Sequence, residues 1–217
     1  MKHSSSQAYQ GTCVVPGVAE GILRFFHPSW SVAQDEPPQY VGDPEIEVGR
    51  YHREAASLGS DLHEAAKQLD ADALPREADI VRRHAQLLDD GELTREIEQV
   101  IRLGFTKASV AAGRILRSRA RSFEQSQFPG LADRAAEFDD LAVQLGRRLT
   151  DRAAEARIEE GGRDVVWAAK ELLPSLVLEA RRRGARAFVV ERGTPFSHAA
   201  ILARSLGLPV LRMPAIE

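Results

Sequence analysis

A serine–histidine pair stands where a loop carrying glycine and proline meets a helical pattern, and it is the most chemically telling feature of this 217-residue chain. The stretch Val189-Val-Glu-Arg-Gly-Thr-Pro-Phe-Ser-His-Ala-Ala-Ile-Leu-Ala-Arg-Ser-Leu-Gly-Leu-Pro209 reads as a buried strand, a loop and a helix. The Ser197 hydroxyl is placed to cap that helix. His198 then falls in the first turn, where backbone N–H groups have no helical partner and the dipole end is positive. Such a position favours a phosphoryl group. An imidazole with its ordinary pKa of about 6.5 offers a neutral nucleophilic nitrogen at cellular pH. In-line attack on phosphorus would form a phosphohistidine, an intermediate that divides one transfer into two.

The remaining chemistry-bearing residues read as structural. His84 lies on the apolar face of a helix and is expected as a satisfied core histidine. His52 and His63 are too far apart to form a helical pair of metal ligands and are expected to face solvent. Arg204 lies six positions after His198, off its helical edge, so a phosphate contact and a structural salt bridge both fit. Arg181–Arg183 with Arg186 reads as a solvated helix end, and Arg114, Arg117 and Arg121 as an exposed face. Glu137, Asp139 and Asp140 are expected on a helix surface or in interdomain pairing. Cys13, the single cysteine, is expected as a small buried strand residue. Gly193 is expected to let the loop approach closely, and Gly207 to cap the helix C-terminus.

Near the N-terminus, Val14–Val18 and Ile22–Phe26 read as strands joined by a turn at Ala19–Gly21, and His27–Val41 as a loop. Residues 43–157 are rich in strong helix formers. Asp43–Pro44 opens a helix to about Leu69. A second begins near Pro75 and resumes or bends after Asp89–Gly91. A third runs from about Phe105 to Glu124. After Pro129–Gly130, a fourth buries Leu131, Ala135, Phe138, Leu141, Leu145 and Leu149. From Asp164 the pattern alternates: strand Val165–Ala168, helix Leu173–Arg182, strand Ala187–Val190, helix His198–Leu206, strand Val210–Leu211. The economical architecture is an α/β domain from 11–42 and 158–217, with an all-α four-helix domain, 43–157, inserted into it. Residues 1–10 read as a disordered lead-in.

The balance of 29 basic and 32 acidic residues gives no electrostatic reason to expect nucleic acid or anionic lipid as partner. One cysteine excludes an internal disulfide or a thiolate metal cluster. No apolar run resembles a signal peptide or a membrane span, so a cytoplasmic protein without membrane partner is expected.

The His198 segment is similar to the phosphohistidine signature of phosphoenolpyruvate-utilising enzymes, with Gly193, Ser197, His198, Ile201, Ala203 and Arg204 matching. Pro16-Gly-Val-Ala-Glu-Gly21 resembles the opening of enzyme I, the phosphoenolpyruvate–protein phosphotransferase of the bacterial sugar phosphotransferase system. His84-Ala-Gln-Leu-Leu-Asp-Asp90 and Arg134-Ala-Ala-Glu-Phe-Asp-Asp140 resemble its helical domain, and Glu171-Leu-Leu-Pro-Ser175 resembles its Asp-Leu-Thr-Pro-Ser turn. The resemblance implies a swivelling phosphohistidine α/β domain carrying the helical insert. It implies phosphoryl transfer from phosphoenolpyruvate through His198 to the histidine of a small phosphocarrier protein. Ser197, Gly193, Thr194 and Arg204 would support the phosphoryl group, with no metal here. Phosphoenolpyruvate and Mg2+ would bind a C-terminal barrel domain that these residues do not include, so this chain alone should not use phosphoenolpyruvate. Departures lie at Phe196, in place of a threonine, at Thr194 and Pro195 in the loop, and at Leu173 and Val177, where enzyme I carries threonines. Two alternatives are a paralogue serving a nitrogen-regulatory or dihydroxyacetone-pathway carrier, and a non-catalytic scaffold that only binds the carrier.

Overall fold

The computed structural model describes residues 7–25, 42–125, 131–150 and 164–214. The expected loop 27–41, the Pro129–Gly130 break and most of the N-terminal lead-in lie outside these residues. Among the described residues the elements are β1 (Thr12–Val15), β2 (Ile22–Phe25), α1 (Pro44–Ala71), α2 (Pro75–Leu88), α3 (Gly91–Gly104), α4 (Ala108–Glu124), α5 (Leu131–Leu149), β3 (Val165–Glu171), α6 (Pro174–Arg183), β4 (Ala187–Arg192), α7 (His198–Ser205) and β5 (Val210–Arg212). They divide into two units, one of residues 1–26, 161–172 and 176–217, the other of 27–160 and 173–175.

The helical unit is set by caps and buried stripes. Asp43 accepts the Glu45 N–H at 3.0 Å and Pro44 occupies the first turn, so α1 begins there. The second helix does not carry through Asp89–Gly91. Asp90 adopts an extended backbone and caps a new helix through the N–H groups of Glu92 (2.8 Å) and Leu93 (3.4 Å). Lys107 offers α4 no side-chain cap; the buried Glu47 of α1 does so instead, accepting the Ala108 N–H at 2.7 Å. Ile97, Ile101, Leu116, Leu141 and Leu145 are fully enclosed at the centre. Truncating any of them to alanine in such a core costs about 2–5 kcal/mol.

The α/β unit holds a five-stranded sheet in the order β1-β5-β4-β3-β2. The four strands β2 to β5 run parallel, and β1 is antiparallel to β5. The chain alternates from β3 through α6 to β4 and through α7 to β5, as parallel neighbours require a crossover. Trp167 and Phe188 are paired across β3 and β4, edge to face at 6.2 Å.

The first two strands, though joined by a short connection, occupy opposite edges of the sheet. Their link crosses the amino ends of the parallel strands, and two glycines let it pass. A Cβ at Gly17 would stand 2.5 Å from Pro209 Cγ, just before β5, and one at Gly21 would stand 2.5 Å from the Asp164 carbonyl, just before β3. The amino edge is thereby occupied, while the loops that follow β3 and β4 leave from the carboxyl edge. Cys13 is exposed rather than buried: β1 is an edge strand, its register breaks between Cys13 and Val15, and the inward positions fall to Val14 and Val15.

Candidate functional site

Strand β4 buries Ala187, Phe188 and Val190 and delivers the chain to the carboxyl edge of the sheet, where ligands of open α/β sheets bind. Gly193 takes φ +159°, a backbone conformation that side-chain-bearing residues rarely adopt. A Cβ there would meet Val190 Cγ2 at 3.6 Å and Leu172 Cβ at 3.7 Å, ordinary contacts, so tight loop packing is not what calls for glycine.

The next four residues form a braced turn. Thr194 carbonyl accepts from the Ser197 N–H at 3.3 Å and from its hydroxyl at 3.1 Å. Pro195 supplies the second turn position with φ already set. Ser197 Oγ also accepts the Ala200 N–H at 3.3 Å, so one hydroxyl closes the turn and caps α7. His198 is the first residue of α7, half-buried, with Ala199 and Ala200 buried behind it. A phosphoryl group on this imidazole would sit at the positive end of the helix.

Arg204 closes the site from the far end of α7. Its guanidinium donates to the Pro195 carbonyl at 3.1 Å, so it holds the turn in place of the salt bridge that was one expectation. The helix then ends in a Schellman arrangement. Leu208 N–H bonds the Ala203 carbonyl (2.8 Å), Gly207 N–H bonds that of Arg204 (3.1 Å), and Gly207 takes φ +68° as expected of a helix-ending glycine. Thr194 is exposed and takes part through its carbonyl, and Phe196 is 86% exposed. The turn thus gathers Thr194, Ser197, His198 and Arg204 on one short segment, with Gly193 leading in.

A second polar cluster lies in the helical unit. His84 and Asp140 are buried, with Nε2 3.3 Å from Asp140 Oδ2, and His84 Nδ1 lies 2.9 Å from the Ile80 carbonyl. Both imidazole nitrogens face oxygens that only accept, so the protonated ring fits the site. Burial by itself pulls the His84 pKa down, but the Asp140 carboxylate, the Ile80 carbonyl and the charge of Glu137 outweigh it and the net shift is upward. Asp140 also accepts the Ser175 N–H at 3.0 Å and the Ser175 hydroxyl. Glu137 is buried too, beside Arg83 at 3.6 Å.

Of the two expectations for Glu137 and Asp140, helix surface or interdomain pairing, the surface one is corrected: both carboxylates are buried, Asp140 against the buried His84 and the half-buried Ser175, Glu137 beside the exposed Arg83. Asp140 adjoins Leu141 of the buried stripe, and that adjacency was the available signal in the sequence. His52 and His63 are exposed as expected, contacting Glu98 and the Gly59 carbonyl respectively. Arg117 is half-buried and donates to the Gly113 carbonyl, where the sequence suggested an exposed face. Arg182 and Arg183 pair with Glu179, and Arg186 with Asp164. Leu173 and Val177 are buried apolar residues, 8% and 0% exposed, so these positions offer no hydroxyl.

Residues 10–134 match the family model of the PEP-utilising enzyme, N-terminal, and residues 161–212 that of the PEP-utilising enzyme, mobile domain. A phosphoenolpyruvate-protein phosphotransferase of Listeria innocua is 31% identical over 79% of this chain and 30% of its own length. One from Streptomyces coelicolor is 27% identical over 93% of this chain and 35% of its own length. The chain thus spans about a third of such curated relatives. The solved structure titled N-terminal domain of Enzyme 1 - Nitrogen superimposes with a TM-score of 0.69 at 23% identity, covering 93% of this chain and 82% of that one. A solution structure of Enzyme I gives 0.63 at 20% identity, over 92% and 80%.

Proposed function

Because the chain belongs to the phosphoenolpyruvate-utilising enzyme family, we propose that it relays a phosphoryl group through His198 to the histidine of a small phosphocarrier protein. The observation that supports this most is the placing of His198 as first residue of α7, behind a serine-capped, hydrogen-bonded turn at the carboxyl edge of a parallel sheet. Phosphoryl transfer asks mainly for positioning and charge stabilisation. The turn fixes the imidazole, the helix end favours the phosphoryl charge, and Arg204 sets the loop from behind. Ser197 and the Thr194 carbonyl make the brace, and Gly193 feeds it.

In this reading the phosphoryl group originates on phosphoenolpyruvate bound, with Mg2+, to a domain outside residues 1–217. The helical unit offers the carrier-docking surface, and the setting is the cytoplasm, in keeping with an exposed single thiol. No described helix is long and apolar enough to cross a membrane. A nitrogen-regulatory or dihydroxyacetone-pathway carrier would be served by the same chemistry.

A second reading, a carrier-binding scaffold without phosphotransfer, draws on the apolar Leu173, Val177 and Phe196 at positions where enzyme I carries hydroxyls. One experiment separates the two. The chain and a His198→Ala variant are incubated with the phosphorylated carrier, and intact mass with peptide mapping finds any acid-labile phosphoryl group. Labelling of His198 in the wild type alone supports the relay. Carrier binding without labelling supports the scaffold.

A further inference from the structure

We propose that Phe196 is a partner-contacting residue of the transfer site, its ring docking on apolar surface beside the carrier's phosphorylated histidine and keeping water from the phosphoryl group in transit. This rests on the reading of His198 as phosphoryl acceptor. At 86% exposure Phe196 is the most exposed aromatic residue among the described residues. Its position is held by the turn, not by slack in the chain. The Thr194 carbonyl takes two hydrogen bonds from Ser197, and Arg204 binds the Pro195 carbonyl immediately before the ring. These bonds fix the backbone on both sides of Phe196, whose side chain lies in water, where the fold gains nothing from an aromatic ring. A ring so held is covered only when a second molecule arrives.

The surroundings favour a phosphorylated protein as that molecule. Lys170 and Arg192 are exposed at the carboxyl ends of β3 and β4, with Glu171 paired to Arg192 at 3.4 Å and Glu191 half-buried, and the exposed Arg204 reaches the Pro195 carbonyl. Exposed cations suit a phosphoryl dianion, and an exposed aromatic ring two residues before His198 suits the protein surface that carries it. Free phosphate would engage the cations and leave the ring unused. In transfer the P–N bond to His198 breaks as a P–N bond to the carrier's imidazole forms, and labelling by the phosphorylated carrier is the same exchange in reverse. The departing nitrogen keeps the electron pair, and no water takes part. An apolar ring closing over that centre favours transfer over hydrolysis.

The test compares two phosphoryl donors on Phe196→Ala and Phe196→Leu: phosphoramidate, a small donor that needs no protein contact, and the phosphorylated carrier. The expected result for Phe196→Ala is a fall in kcat/KM of about tenfold with the carrier, mostly in KM. That fall should exceed any change with phosphoramidate at least fivefold, on the order expected of an aromatic anchor. The leucine variant should recover much of the loss. Equal losses with both donors would mean that the ring acts on His198 within the free protein, and no loss with either would mean that it is idle. Each overturns the proposal. Those two outcomes leave the relay reading standing, whereas wild-type protein labelled at His198 by phosphoramidate but not by the carrier overturns both transfer to the carrier and this inference. Wild-type protein labelled by neither overturns the phosphoryl-relay reading and the inference with it.

Discussion

The two units each hold one informative histidine, and they hold it in opposite ways. In the helical unit His84 sits inside α2, 1% exposed, with one ring nitrogen against a backbone carbonyl and the other against a carboxylate. In the α/β unit His198 opens α7 and is half-buried, at the end of a turn that meets solvent. A protonated ring with both nitrogens facing acceptors has no lone pair with which to attack phosphorus. A ring at a helix start, in a field that favours anions, is suited to receive one. The same side chain is thus a structural cation in one unit and a candidate nucleophile in the other, and the difference comes from its neighbours.

The sharpest test of that contrast is His198→Ala. It should abolish phosphoryl acceptance from the carrier while far-UV circular dichroism stays native. Appearance of a phosphoryl group on His84 in that variant would break the comparison outright. Next in size is Asp140→Ala, which leaves a buried imidazolium without its counter-ion and the Ser175 N–H without its acceptor. Removing one partner of a buried pair costs about 3–5 kcal/mol, so urea denaturation followed by helical ellipticity should show a lower midpoint, with His198 left untouched.

The pH dependence follows from the same pair and should be smaller. The His84 pKa is raised in the folded protein, so its stabilisation is fully present below the unfolded value near 6.5 and is lost as pH rises through the folded value. Denaturation midpoints across that window should fall with pH, and His84→Gln should flatten this component. The mildest expected effect is that of Ser197→Ala. Loss of the cap on α7 costs about 1 kcal/mol and loosens the turn, so carrier-dependent labelling should slow while the helical unit unfolds unchanged. If Ser197→Ala instead matched His198→Ala in activity, the hydroxyl would have a direct part in the chemistry.

Much of this was legible in the sequence because it depends on neighbours along the chain. Asp43–Pro44 started a helix through a local cap, and Gly207 ended one through a local left-handed turn. The strand, loop and helix around His198 were written within about twenty consecutive residues, so the order of elements at the site could be read directly. The fold class followed from the same punctuation and from the change of texture between Leu-, Ala- and Arg-rich helices and short apolar strands.

Other features depended on partners far away in the chain. That Glu47 caps α4, 61 positions on, has no sequence signature, because any surface glutamate at that spacing looks the same. Glu137 and Asp140 read as either surface or interdomain-paired carboxylates because their burial is invisible until His84, Ser175 and Arg83 are placed beside them. Cys13 looked buried until the sheet order put β1 on an edge, with its register broken. Arg204 had two plausible roles, and only the folding back of the turn brought the Pro195 carbonyl within its reach. The sequence by itself determined which residues can cap, turn, alternate and attack, since those properties belong to single side chains and short spans. Tertiary structure decided which carboxylates are buried and which groups pair with them, since both depend on what distant segments supply at hydrogen-bonding distance.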